Sequence, residues 1–235
     1  MKLFLGPHSF LLTIGVIALA VAVGAAGRFY AGDGTTWTLL SAIVLFGLTA
    51  YFADKWAALN QLGASYGRWL GGAAAFSAIS AVILTAANVV AGQVMWTNNP
   101  WYRLYDVLLI TRGDTPFVDT NGKPYMVDNA GQNATTITLT VLLTFALVVV
   151  APMVGIATGI AGRNRGAFAI LMAATVIGGL VAGFTYAALT ETVEIGGDII
   201  PRTAPNAGSI ALAAVLTALA LGAAWVIARA PRFIR

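Results

Sequence analysis

The sequence predicts an all-α integral membrane protein: a bundle of six transmembrane helices, both termini cytoplasmic, with an extracytoplasmic insert holding a small β-hairpin. Three observations predict it. Hydrophobic residues make up 59% of the 235-residue chain and charged residues 9%, against about 25% charged in a soluble domain. Several apolar runs reach the length of about 20 residues that crosses a hydrocarbon core of about 30 Å. One polar, turn-rich stretch, residues 97–134, separates three such runs from three more.

The spans are expected at residues 10–30, 37–52, 69–96, 135–161, 167–190 and 208–228. The first run is not followed by a small-residue cleavage site and a soluble remainder, so it is expected to be a retained span and not a signal peptide. The divisions that result are a first three-helix half at 1–96, an extracytoplasmic loop at 97–134 and a second three-helix half at 135–235.

The connections are polar. Residues 31–36 (AGDGTT) form a tight turn, 162–166 (GRNRG) a short basic one, and 191–207 a polar loop with two prolines. In residues 54–68, Trp56, Leu59, Leu62 and Tyr66 recur at helical spacing opposite Asp54, Asn60 and Ser65. That pattern predicts a short amphipathic helix in the interface plane.

Orientation follows from the cations. One side carries Lys2, Lys55, Arg68, Arg163, Arg165, Arg229, Arg232 and Arg235; the other carries Arg28, Arg103, Arg112, Lys123 and Arg202. The richer side is expected to be cytoplasmic, because three of the five opposing cations lie in the long insert, where the rule counts least. Trp37, Trp56, Trp69, Trp96 and Trp225 fall near span ends, the headgroup level that suits an amphipathic ring.

Within the insert, Asn121-Gly122 stands between Phe117-Val118 and Tyr125-Met126-Val127. Asn-Gly tolerates positive φ at both turn positions, so a hairpin is predicted there. Asp119, Asn121 and Asp128 lack the spacing of a calcium loop. The Arg112-Gly113-Asp114 tripeptide is too short to carry weight, and the Asn133-Ala134-Thr135 acceptor abuts a span.

Lipid is as apolar as leucine, so helices associate where small residues let backbones approach. Gly155 with Gly159, and Gly179 with Gly183, fit that pattern and are read as packing inside the bundle, with a seam between two copies of the chain as the alternative. Gly15, Gly24 and Gly27 add small residues to the first span, and Pro152 is expected to kink the fourth.

Well inside the spans there is no Asp, Glu, Lys, Arg or His. Such residues mark ion paths and proton relays. With one histidine, His8, and no cysteine, a bis-histidine haem, a thiolate metal site and an iron–sulfur cluster are excluded. The letters Gly63-Ala64-Ser65-Tyr66-Gly67 match a nucleophile elbow, but it needs a strand–turn–helix setting and a histidine base. No cofactor and no enzymatic activity are expected.

Hydroxyl and amide groups remain. Asn88 is the most polar deep residue, with Ser77, Ser80 and Thr85 on preceding turns. They are read as interhelical hydrogen-bonding groups or as a polar path. The expectation is a multi-pass protein of the cell membrane, a permease-type subunit for a neutral or amphipathic solute within a multi-subunit assembly. A cytoplasmic ATPase would dock at the 54–68 loop. The alternative is a cofactor-free structural or accessory subunit of a larger membrane complex. Its partners would be the lipid bilayer and other membrane subunits or further copies of the chain, and not nucleic acid.

Overall fold

Chain length and hydropathy dictate the architecture. Among the described residues six helices are long and apolar enough to cross a membrane, with candidate spans Phe10–Phe29, Thr36–Gln61, Tyr66–Met95, Ile137–Ala161, Arg165–Thr185 and Ile210–Pro231. The chain is a multi-pass membrane protein. The structure, a computed structural model, describes residues 1–6, 9–31, 34–98, 117–118, 124–125, 134–162, 164–188, 190–195, 198–203 and 207–233.

Among the described residues the helices are α1 (Lys2–Leu5), α2 (Ser9–Ala31), α3 (Gly34–Asp54), α4 (Trp56–Gln61), α5 (Tyr66–Asn98), α6 (Ala134–Ala161), α7 (Arg165–Ala188) and α8 (Ala207–Phe233). The strands are β1 (Phe117–Val118), β2 (Pro124–Tyr125), β3 (Thr190–Ile195) and β4 (Asp198–Thr203). Local chemistry sets several boundaries. Asn164 Oδ1 accepts the Ala167 backbone N–H at 2.9 Å, which caps the first turn of α7. Gly63, at φ +80°, takes the left-handed conformation in the turn after α4 that side chains disfavour.

Four long helices form a ring: α2 packs on α3, α3 on α6, α6 on α5, and α5 back on α2. Outside it, α8 lies against α6, and α7 packs mainly on α8. The share buried within each candidate span reflects this: 35 to 44% for the ring helices, but 17% for α7 and 22% for α8. All the buried polar and charged side chains among the described residues, from Thr13 and Arg28 to Thr140 and Thr144, lie on α2, α3, α5 and α6. Hydrocarbon offers no hydrogen bonds, so polar groups turn inward wherever a protein interior exists to receive them.

Backbone approach closes the α3–α6 seam. A Cβ at Gly155 would collide with Thr49 Oγ1 and the Phe46 carbonyl oxygen, and one at Gly159 would fall 2.7 Å from Ala53 Cβ and 2.8 Å from the Asp54 amide nitrogen. Pro152 is fully buried, and α6 runs through it without interruption.

The second small-residue pair behaves differently. Gly179 and Gly183 are exposed and would meet nothing within 4 Å, so they are not packing residues within the bundle. Their face of α7 is turned outward. The neighbouring Gly178 takes that part instead, its Cβ position 3.1 Å from Ala218 Cβ. Gly15 is likewise open, while Gly24 and Gly27 are close-packed.

Two connections depart from expectation. Residues 191–207 were expected as a polar loop, yet β3 and β4 pair antiparallel through six residues each, from Thr190↔Thr203 to Ile195↔Asp198. The alternation of TETVEI before Gly196-Gly197 is a hairpin pattern, and a two-stranded ribbon tolerates Pro201 on its free edge. The amphipathic helix of residues 54–68 is only the six-residue α4. Trp56 is buried in the bundle, Leu62 is 84% exposed, and Tyr66 already belongs to α5. In the insert, Phe117 pairs with Tyr125 and Val118 with Pro124; Asn121 and Gly122 lie outside the described residues.

The seam makes a checkable distinction. Gly155→Leu or Gly159→Leu should lower stability by about 3 kcal/mol or more through overpacking against backbone, whereas Gly179→Leu and Gly183→Leu should leave it nearly unchanged. Thermal midpoints in detergent measure this, and equal losses at both pairs would contradict the seam.

Candidate functional site

The buried face of α2 repeats at helical spacing: Thr13, Val16, Ile17, Ala20, then Gly24, Gly27 and Arg28. This repeat carries Arg28 into the ring. Its side chain is 3% exposed. Read from the sequence as an outer-side cation at a span end, it is a buried group.

Arg28 ties three helices together. Nη1 donates to the Gly24 carbonyl on α2 at 2.9 Å and to Asn88 Oδ1 on α5. Nη2 donates to the Gly34 carbonyl at the start of α3 at 3.1 Å and to Thr38 Oγ1. Thr38 donates in turn to the Gly34 carbonyl at 2.8 Å. The planar, always charged guanidinium suits this fan of acceptors in a way an ammonium does not.

Gly24 makes the node possible. A Cβ there would lie 2.6 Å from both Asn88 Oδ1 and Ser41 Oγ. Ser41 donates across the interface to the Ala20 carbonyl at 2.8 Å. The sequence pointed to Asn88 and missed Arg28, Thr38 and Ser41. The missing signal was the α2 repeat, which places Arg28 one turn beyond Gly24 on the same face.

The four candidate residues on α5 separate by environment. All are buried. Asn88 accepts from Arg28. Ser77 donates to the carbonyl of its own preceding turn, Ala73, at 2.9 Å. Among the described residues Ser80 and Thr85 have no hydrogen-bond partner, and the same holds for Thr140 on α6. Their exposures are 0, 7 and 9%, so solvent outside the protein does not serve them.

Back-bonding to the carbonyl four residues earlier is the usual resort of a helical hydroxyl. Thr49, Thr158, Thr175 and Thr217 all use it here. Ser80, Thr85 and Thr140 hold their oxygens elsewhere. Ser80 lies near the middle of α5, and Asn88 lies about 12 Å further along the helix axis at 1.5 Å per residue. Arg28, Thr38, Asn88 and Thr140 lie towards the insert end of the ring, while Thr13, Thr49 and Ser77 are buried towards the other end.

The opposite end is aromatic. Trp56 and Trp69 lie 5.0 Å apart, and Tyr66 stacks on Trp69 at 5.8 Å. The Tyr66 hydroxyl donates to the Ile227 carbonyl of α8 at 2.5 Å. A separate cleft of about 170 Å3 lies between α3, α6 and α8, walled by Leu39, Ile43, Phe46, Val150, Leu216 and neighbours. With no polar side chain in its walls it suits hydrocarbon and no polar solute.

Fold and site together define a multi-pass helical membrane protein with a polar interior confined to one four-helix unit. No protein-family model, curated protein or solved structure matches the chain.

The two kinds of polar residue should respond oppositely to apolar replacement. Asn88→Leu strips a buried guanidinium of an acceptor and should cost about 1–3 kcal/mol. Ser80→Ala and Thr85→Val remove hydroxyls that bond no protein group among the described residues, so each should stay within about 0.5 kcal/mol of the parent or stabilise it. Thermal unfolding in detergent reads the difference, and a loss at Ser80 or Thr85 matching that at Asn88 would contradict the assignment.

Proposed function

We propose that the chain is a permease-type subunit, working in a multi-subunit assembly of the cell membrane and passing a neutral or amphipathic solute through the α2–α3–α5–α6 ring. The observation that carries this reading is the trio of buried, unpartnered hydroxyls at Ser80, Thr85 and Thr140. An unserved hydroxyl in a low-dielectric interior costs free energy, and a polar solute in transit supplies its partners. None of the three carries a charge that would offset the desolvation of an ion, which favours a neutral solute.

The cation count supports an orientation with both termini and the 54–68 loop in the cytoplasm. The insert, with its β1–β2 pairing, then lies outside. Leu62, at the tip of the loop beside Gly63, is the exposed apolar knob on which a cytoplasmic ATPase would bear. The chain itself acts as a conduit and carries out no covalent chemistry. A second reading, an accessory subunit of a larger membrane complex, draws on the open face of α7, where Gly179 and Gly183 could receive a helix from another subunit.

Purification in mild detergent from native membranes, with mass spectrometry of what co-migrates, separates the two. The permease reading expects a nucleotide-binding protein that is lost when Leu62 is changed to Asp. Catalytic or electron-transfer subunits in its place would favour the accessory role, and the chain migrating alone would count against both.

A further inference from the structure

The short helix α1 ends in a conformation open only to glycine, with Gly6 at φ +89°. Four residues are too few to hold a helix in isolation, so α1 is kept in place by what it touches. It packs against α5, α2 and α3, three of the four ring helices. Phe4 and Leu5 are 2 and 4% exposed. The Phe4 ring sits 5.9 Å from Phe52, 5.6 Å from Trp69 and 6.0 Å from Phe76, so one side chain joins α3 to α5 across the end of the ring remote from Arg28. Gly72 makes room for it: a Cβ there would lie 2.9 Å from the Met1 backbone nitrogen.

The aromatic nest around Phe4 is well packed but incompletely satisfied. The indole N–H groups of Trp56 and Trp69 are buried, at 1 and 0% exposure, and neither has an acceptor among the described residues. Buried donors of that kind favour any arrangement that offers them an acceptor, and withdrawal of α1 would admit water to them. The docked position is thus held by Phe4 and Leu5 and opposed by two unserved donors, while Gly6 supplies the pivot.

We propose that α1 is a displaceable plug: Phe4, seated between Phe52, Trp69 and Phe76, closes one end of the ring, and swinging about Gly6 opens it. This rests on the ring being a conduit. Closure at the other end is the Arg28 clamp, which leaves Ser80 between two seals.

The chain contains no cysteine, so single cysteines report one position each. The full chain in lipid nanodiscs would be treated with a small, charged methanethiosulfonate. Leu5→Cys reports whether α1 is docked, Ser80→Cys whether the ring interior is open, and Ala223→Cys on α8 whether the fold is intact. Each is placed in the parent chain, in Phe4→Ala and in Gly72→Leu, which displaces α1 without altering Phe4.

The expected result is slow reaction at all three positions in the parent. In at least one variant, Leu5→Cys and Ser80→Cys then react roughly tenfold faster or more, as thiol reactivity follows exposure, while Ala223→Cys stays inert. Leu5→Cys inert in both variants would overturn the plug, since α1 would be a fixed part of the core. Fast reaction at Ser80→Cys in the parent would overturn it too, leaving the conduit standing. Leu5→Cys reactive with Ser80→Cys still inert would mean that nothing opens behind α1, which sinks plug and conduit together. Ala223→Cys reacting in both variants would show α1 to be a folding element of the bundle and not a plug.

Discussion

A guanidinium withdrawn from water must find its acceptors inside the protein, and Arg28 draws them from three helices at once. Gly24 and Gly34 supply carbonyls, and Thr38 and Asn88 supply side-chain oxygens. That requirement aligns α2, α3 and α5 at the end of the ring nearer the insert more tightly than apolar packing alone would, because hydrocarbon contacts are non-directional and lipid competes for them on equal terms. Gly24 is the consequence in sequence: only a residue without a side chain leaves room for the amide and the hydroxyl that complete the node.

The rest of the bundle follows from the same solvent logic. Polar side chains gather where four helices face one another, and α7 and α8, which present Val176, Leu180, Phe184 and Leu221 outward, carry none that are buried among the described residues. At the far end aromatic packing replaces hydrogen bonding. Phe4, Trp56, Tyr66 and Trp69 hold α1, α4 and α5 together, and Tyr66 ties them to α8. The Arg28 node stands at one end of the ring and the aromatic nest at the other, with Thr13, Thr49 and Ser77 buried in the aromatic half as well.

Hydropathy made the six spans legible because a bilayer tests length and composition, which are local properties. It left their faces undetermined. Gly155/Gly159 and Gly179/Gly183 carry the same spacing, and only the neighbours, Thr49 and Ala53 for one pair and open space for the other, tell seam from surface. Asn88 stood out as the most polar deep residue, yet its partner did not, since Arg28 near a span end resembles any interfacial cation until its face is known. The β3–β4 pairing was written in the alternation before Gly196-Gly197 but obscured by Pro201 and the acidic residues around it. The aromatic nest depends on Phe4, and nothing in a four-residue segment announces that it will fold back into the bundle.

The central claim is that Ser80, Thr85 and Thr140 hold their hydroxyls towards a hydrated interior of the ring. An experimental structure of the chain in nanodiscs, at a resolution that shows ordered water, tests this most directly. The account predicts density for water or a bound solute within hydrogen-bonding distance of those three oxygens, enclosed by α2, α3, α5 and α6. A dry interior, with the three hydroxyls donating to the carbonyls of Phe76, Ala81 and Thr136 one turn back along their own helices, would contradict it.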